Sequence, residues 1–131
     1  MKRLLYVFLT VCCLLTIVGC RETKISEDAT VTLHFCCYEN DIVQELTAEE
    51  SARVIEILNG NTYDPAFSGV PACGFSKEVS FEINGRIYAV AMDTCSNMQD
   101  LGTLQFCNIS EEGMDYIHAL FEQYGGYFPC I

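Results

Sequence analysis

Positive charge is scarce in this chain: seven Lys and Arg stand against 18 Asp and Glu in 131 residues, a formal net charge of −11. That scarcity excludes a binder of nucleic-acid backbone, because so few scattered cations cannot be assembled into a basic patch. Histidine is scarcer still, with His34 and His118 alone, so a serine or cysteine hydrolase has two candidates for its base and little else to build from. No Cys-x-x-Cys stands at a helix start, where the helix dipole would lower a thiol's pKa. A glycine-rich phosphate loop and a dinucleotide-binding fingerprint are absent too, as are internal repeats and low-complexity tracts.

What is present begins with MKRLLYVFLTVCCLLTIVGC. Lys2 and Arg3 form a short positive start, Leu4 to Val18 is a continuous weakly polar to apolar run, and small residues precede Cys20. A charged start, an apolar stretch and a small-residue cleavage point are the marks of an export signal. The run falls short of the roughly 20 apolar residues a helix needs to span a bilayer. Ile17-Val18-Gly19-Cys20 resembles the lipobox of bacterial lipoproteins, matching it at every position. The resemblance implies cleavage after Gly19 (residues 1–19 being the signal) and a diacylglyceryl-modified Cys20 as the membrane anchor. Multiple acyl chains on one residue hold a protein far better than a single chain. An extracytoplasmic, lipid-anchored location follows from the same resemblance.

Cleavage there leaves Arg21, Lys24, Arg53, Lys77 and Arg86 against all 18 acids, a formal charge of −13. Such a balance disfavours a peripheral grip on anionic lipid, so the acyl chains must do the holding. It keeps copies apart, and it suits a basic partner or a divalent cation. Residues 20–29 read as a polar tether and 30–131 as one domain. Six cysteines remain in it: Cys36, Cys37, Cys73, Cys95, Cys107 and Cys130. The number is even and the expected compartment permits disulfides, but six cysteines allow fifteen pairings.

Thr30–Tyr38 alternates with period two, placing Val31, Leu33, Phe35 and Cys37 on one face and Thr32, His34, Cys36 and Tyr38 on the other. Glu39-Asn40-Asp41 is turn chemistry, and Ile42–Leu46 reads as a short return strand. Thr47-Ala48-Glu49-Glu50 is a capping box that opens a helix ending at Asn59-Gly60, with Ala48, Ala52, Ile55 and Leu58 as its inward face beside Ser51 and Val54. A loop is expected over Asn61–Ser76. In KEVSFEINGRIYAVAM (77–92) the Asn84-Gly85 pair between alternating runs is a hairpin signal. Its two-residue turn sets Phe81 opposite Tyr88 and Ile83 opposite Arg86, with Val79, Phe81, Ile83, Tyr88 and Val90 inward. The other side, from Glu78 and Ser80 to Ala89 and Ala91, is expected to be half-wet. A polar loop over Asp93–Gly102, a strand over Thr103–Ile109 and a helix capped by Ser110 follow, the helix burying Met114, Ile117, Leu120, Phe121 and Tyr124. The expected architecture is α+β: a small antiparallel sheet of 3–5 strands with two helices on one face, in the order β(β)αβββα.

Extending the hairpin register brings Cys73 opposite Ser96, next to Cys95; a disulfide needs Cα atoms within about 7 Å, and Cys73–Cys95 is the expected bridge. Cys36, Cys37, Cys107 and Cys130 supply any others. Aromatics outside regular elements, Tyr63, Phe67, Phe75, Tyr127 and Phe128, are the candidate binding residues. No catalytic residue and no cofactor is expected. The leading expectation is therefore a non-enzymatic lipoprotein domain that binds a protein or peptide partner or has a structural envelope role. The competing one is a metal-binding or thiol-redox-sensing lipoprotein using His34 and Cys36, which share one face of the first strand. A small hydrolase using His34 or His118 is the third. Asp93, Asn97 and Asp100 lack the spacing of an EF-hand calcium loop.

Overall fold

The computed structural model describes residues 24–63 and 74–130. The signal, Cys20, Phe67 and Cys73 lie outside the described residues. Eight elements follow in order: β1 Val31–Phe35, β2 Ile42–Glu45, α1 Ala48–Asn59, β3 Val79–Ile83, β4 Arg86–Val90, β5 Asn97–Asp100, β6 Gln105–Asn108 and α2 Glu111–Gln123. The six strands make one antiparallel sheet ordered β2-β1-β3-β4-β5-β6. The α+β class holds, but the sheet exceeds the expected 3–5 strands and the order is ββαββββα, not β(β)αβββα.

The additional strand is β5, inside the expected polar loop. Asn97-Met98-Gln99-Asp100 reads as polar, yet Met98 and Asp100 point inward opposite Val90 and Tyr88. Asp100 is 2% exposed and hydrogen-bonded to Arg86. Burial alone would raise its carboxyl; Arg86 and the Gly102 N–H outweigh that and hold it below the usual carboxylate range. An inward acid tolerated by an ion pair breaks the alternation that strand recognition relies on.

The hairpin is as its sequence requires: Phe81 faces Tyr88, Ile83 faces Arg86, and Asn84 and Gly85 take φ of 51° and 76°. Its second face is drier than expected, since Ser80, Ala89 and Ala91 are all buried. Ser80 is reconciled to burial by donating to the Lys77 carbonyl at 2.7 Å.

Both helices share one core with the same face of the sheet. Val31, Leu33, Phe35, Val79, Phe81, Ile83, Tyr88, Val90, Met98 and Cys107 meet Val54, Ile55 and Leu58 of α1 and Met114, Ile117, Leu120 and Phe121 of α2. The Thr47 capping box forms as read, with Glu50 N–H donating to the Thr47 hydroxyl. Ala48 and Ala52 are exposed, however, and Ile57 is buried, so the inward face of α1 is rotated toward Val54, Ile57 and Leu58. Glu50 also joins the helices: Tyr124 Oη donates to it at 2.9 Å and Gln123 Nε2 at 2.8 Å.

Helix α2 stops where Gly125 adopts φ 100°, and the chain turns back beneath the end of β1. A Cβ on Gly126 would stand 3.0 Å from the Phe35 ring and 3.1 Å from the Phe121 carbonyl. A side chain there would make the Phe35 ring or the Phe121 backbone give by a few tenths of an ångström. Gly126→Ala is expected to destabilise the domain by about 1–3 kcal/mol through overpacking, measured by denaturant unfolding; an unchanged midpoint would show that the approach is loose.

Candidate binding site

Past Phe35 the chain leaves the sheet in a tight turn. The Cys36 N–H still donates to the Glu78 carbonyl at 2.8 Å, and the Asn40 N–H closes the turn on the Cys37 carbonyl at 3.0 Å. Between them Tyr38 takes φ 56°, a conformation uncommon for a bulky residue, and its ring stands out at 71% exposure. The segment after α2 comes to meet it. Tyr127 lays its edge on the Phe35 ring at 5.4 Å and stacks on Tyr38 at 6.4 Å with 15° between planes, staying 39% exposed. Phe128 packs beneath, 6.3 Å from Phe35, 5.4 Å from Phe121 and stacked on His118 at 4.2 Å. The Cys130 N–H then donates to the Met92 carbonyl at 2.9 Å. Two exposed tyrosine rings are thus set on a buried aromatic frame, next to the edge strand β2, whose Val43 is also exposed.

The surroundings are acidic and sulfur-rich. Glu39, Asp41 and Glu78 are exposed around the turn. Cys36 Sγ donates to Asp41 Oδ1 at 3.5 Å and approaches the Ile42 carbonyl at 3.9 Å. Burial, then Asp41, pushes the Cys36 thiol up; burial pushes Cys37 up, against a hydrogen bond with the Cys130 thiol. Raised thiols are protonated at neutral pH and so are weak nucleophiles and metal ligands. The vicinal pair is therefore not activated.

Of the aromatics named from sequence, Tyr127 alone among the described ones faces solvent. Tyr63 packs toward the core, 6.3 Å from the Tyr88 ring. Its hydroxyl approaches the Cys107 thiol without a hydrogen bond of good geometry, and burial raises both groups, Cys107 to about 11. Phe75 sits half-buried, 5.3 Å from Phe106. Phe128 is turned inward as described. The alternation of β1 puts Tyr38 on the outward strand face and gives it no role; an aromatic directly before Glu39-Asn40-Asp41 is the signal that marks it.

His34 and Cys36 are drawn to different partners. His34 Nε2 stands 3.3 Å from Glu82 Oε2, out of line for a hydrogen bond, while Cys36 turns to Asp41. Among the described residues no group of three or more His, Cys, Asp or Glu is arranged to hold a metal ion. Cys36, Cys37, Cys95, Cys107 and Cys130 stand as thiols, Cys95 donating to Asp93 Oδ2 at 3.3 Å. Asp93 does not gather a calcium site with Asp100, which is committed to Arg86.

A cleft of about 740 Å³ opens elsewhere, between α1, Tyr116 of α2 and the segment at Lys24 and Glu27. Its central cation, Arg53, is already held by Glu56 at 2.6 Å and Glu112 at 3.0 Å and lies 5.8 Å from the Tyr116 ring. Among the described residues no helix is long and apolar enough to cross a membrane. No family model, curated protein or solved structure matches the chain.

His118 provides a pH test of the aromatic frame. Burial lowers its pKa below 6.5, against the raising effect of Asp115 and Glu122, and its Nε2 has no hydrogen-bond partner. The unfolded chain then binds a proton that the folded chain resists, so stability is full above pH ~6.5 and falls as pH drops through the lower folded value. Replacing the ring by His118→Phe keeps the stack on Phe128 and is expected to flatten that segment of the stability–pH curve, read by thermal melting from pH 7.5 to 5; an unchanged slope would assign it to other groups.

Proposed function

We propose that this chain is a non-enzymatic, lipid-anchored extracytoplasmic domain that binds an extended, basic segment of a protein partner. The observation that carries the reading is the exposed Tyr38–Tyr127 stack on the buried ring of Phe35. Tyrosines fixed in this way present large contact area with little rotamer entropy left to lose, which is what binding anchors require.

Two further features support this partner chemistry. Among the described residues β2 is an edge strand beside the tyrosines with no strand on its outer side, and an extended segment can add to such an edge. The acids Glu39, Asp41 and Glu45 border both, on a chain with a formal charge of −11 overall. Electrostatic attraction then raises the rate of encounter with a basic segment and disfavours acidic ones. The lipobox at Cys20 supplies the location, and the polar residues after it let the domain stand away from the lipid.

The anchor is tested by intact mass of the protein extracted from membranes. A mass lacking residues 1–19 and carrying acyl groups on Cys20 is expected, with Cys20→Ala released from the membrane fraction. An unacylated chain with its first 19 residues still attached would contradict the proposal.

The binding surface is tested with a panel of immobilised peptides alternating apolar and Lys/Arg residues, beside a matched Glu/Asp panel. Binding to the basic panel alone is expected, weakening with salt. Tyr38→Ala and Tyr127→Ala should each cost about 10- to 30-fold in Kd, the range for truncating an aromatic anchor, with melting temperature of Tyr38→Ala unchanged. Equal binding of both panels, or no loss in the tyrosine variants, would remove the surface from consideration.

A further inference from the structure

We propose that Cys37 and Cys130 form a disulfide that fastens the segment after α2 to the end of β1. The inference rests on the extracytoplasmic reading for its oxidant, but its geometry stands independently. The Cys130 thiol donates to the Met92 carbonyl at 3.5 Å, and the Cys37 thiol is its neighbour, close enough for each to affect the other's proton. Both are members of the core cluster, Cys37 at 6% and Cys130 at 2% exposure. Their backbones are fixed from both sides: Cys37 by the Asn40 turn, Cys130 by its N–H bond to Met92. Between them the Phe35–Tyr127 and Tyr38–Tyr127 ring contacts hold the two segments side by side. Two buried, neighbouring thiols on anchored backbones meet the first requirement of a bridge, which is that the two chain segments stay side by side.

The neighbouring thiols are differently placed. Cys36 is half-exposed and turned away to Asp41. Cys107 is buried beside Tyr63, and Cys95 is engaged by Asp93. Pairing of Cys37 with Cys130 would therefore leave the accessible Cys36 next to a bridge, where an exchanging thiolate could reopen it. Burial, and then Asp41, opposes that by raising the Cys36 thiol. The bridge joins residues far apart in sequence, so it restricts the unfolded chain strongly, and it locks the floor under Tyr127.

Formation is thiol–disulfide exchange. One thiolate attacks a disulfide oxidant of the thiol oxidoreductase or glutathione class, displacing one of its sulfurs as a thiol. The second protein thiol, losing its proton, attacks the mixed disulfide and displaces the other. Two cysteine thiols are oxidised to one disulfide, and one oxidant disulfide is reduced to two thiols.

The test uses the full chain, purified reduced and exposed natively to glutathione disulfide. Remaining thiols are alkylated, and the protein is digested and mapped without reduction. A linked peptide containing Cys37 and Cys130 is expected. Because Cys36 adjoins Cys37, the variants discriminate: Cys36→Ala should keep the link in full, and Cys37→Ala should reduce it at least tenfold. Loss of the link in Cys36→Ala, a different partner for Cys130, or a Cys130 that remains fully alkylated would overturn the pairing. Rapid alkylation of intact cells reads the compartment separately. A pair that links in the tube but is alkylated in cells supports the pairing and contradicts the extracytoplasmic location.

Discussion

The complete burial of Phe35 is the constraint on which the rest of this structure depends. The ring ends the apolar row of β1, and it is touched by Phe121 of α2, by Tyr127 and Phe128 of the following segment, and by the backbone of Gly126. Burying such a side chain is worth about 1.5–3 kcal/mol, and each well-placed ring pair adds about 0.5–1.5 kcal/mol. Phe121 and Phe128 also make three ring contacts each, but of these three rings Phe35 is the one that Tyr127 rests on. Because Gly126 must pass against Phe35, the chain is forced back across the sheet end, and that return sets Tyr127 against Tyr38. The candidate surface is a consequence of core packing, which is why it can be rigid and exposed at once.

The chemistry around that surface is conservative. Burial and nearby acids raise the Cys36 and Cys37 thiols, and Cys107 is raised further still. His118 is kept neutral under Phe128, and His34 is set against a carboxylate. Burial thus keeps the Cys36, Cys37 and Cys107 thiols and the His118 imidazole toward their uncharged forms. Under the proposed binding function these groups serve packing. In the same proposal the acidity of the chain acts at long range, favouring basic partners by charge before contact.

The parts of the fold legible in the sequence were those with local causes. Thr47 and Glu50 specify a helix start among themselves, and Asn84-Gly85 specifies a turn and hence the register of everything in the hairpin. Strand β5 was not legible, because its inward Asp100 is made tolerable only by Arg86, a partner fourteen residues away in the chain. The rotation of α1 is hidden for a related reason: alanines are small enough to sit on either face, so Ala48 and Ala52 carry no weight against Ile57. The candidate site was half legible. Tyr127 could be picked out as an aromatic beyond a helix stop, but Tyr63, which looked similar, is drawn inward against Tyr88. Tyr38 acquires its meaning only from Tyr127, a contact made by tertiary packing. The closeness of Cys37 and Cys130 is equally non-local, since no spacing rule relates a turn after the first strand to a segment after the last helix.

The segment after α2 is an integral part of the core, held there by Phe35. Native-state hydrogen exchange of the Cys130 amide, which donates to the Met92 carbonyl at 2.9 Å, tests this most directly. Protection within range of the β1 amides, lost together with them as denaturant is added, is the expected result. Exchange of that amide near the free-peptide rate while β1 stays protected would show the segment to be detached, and the surface built on it would go with it.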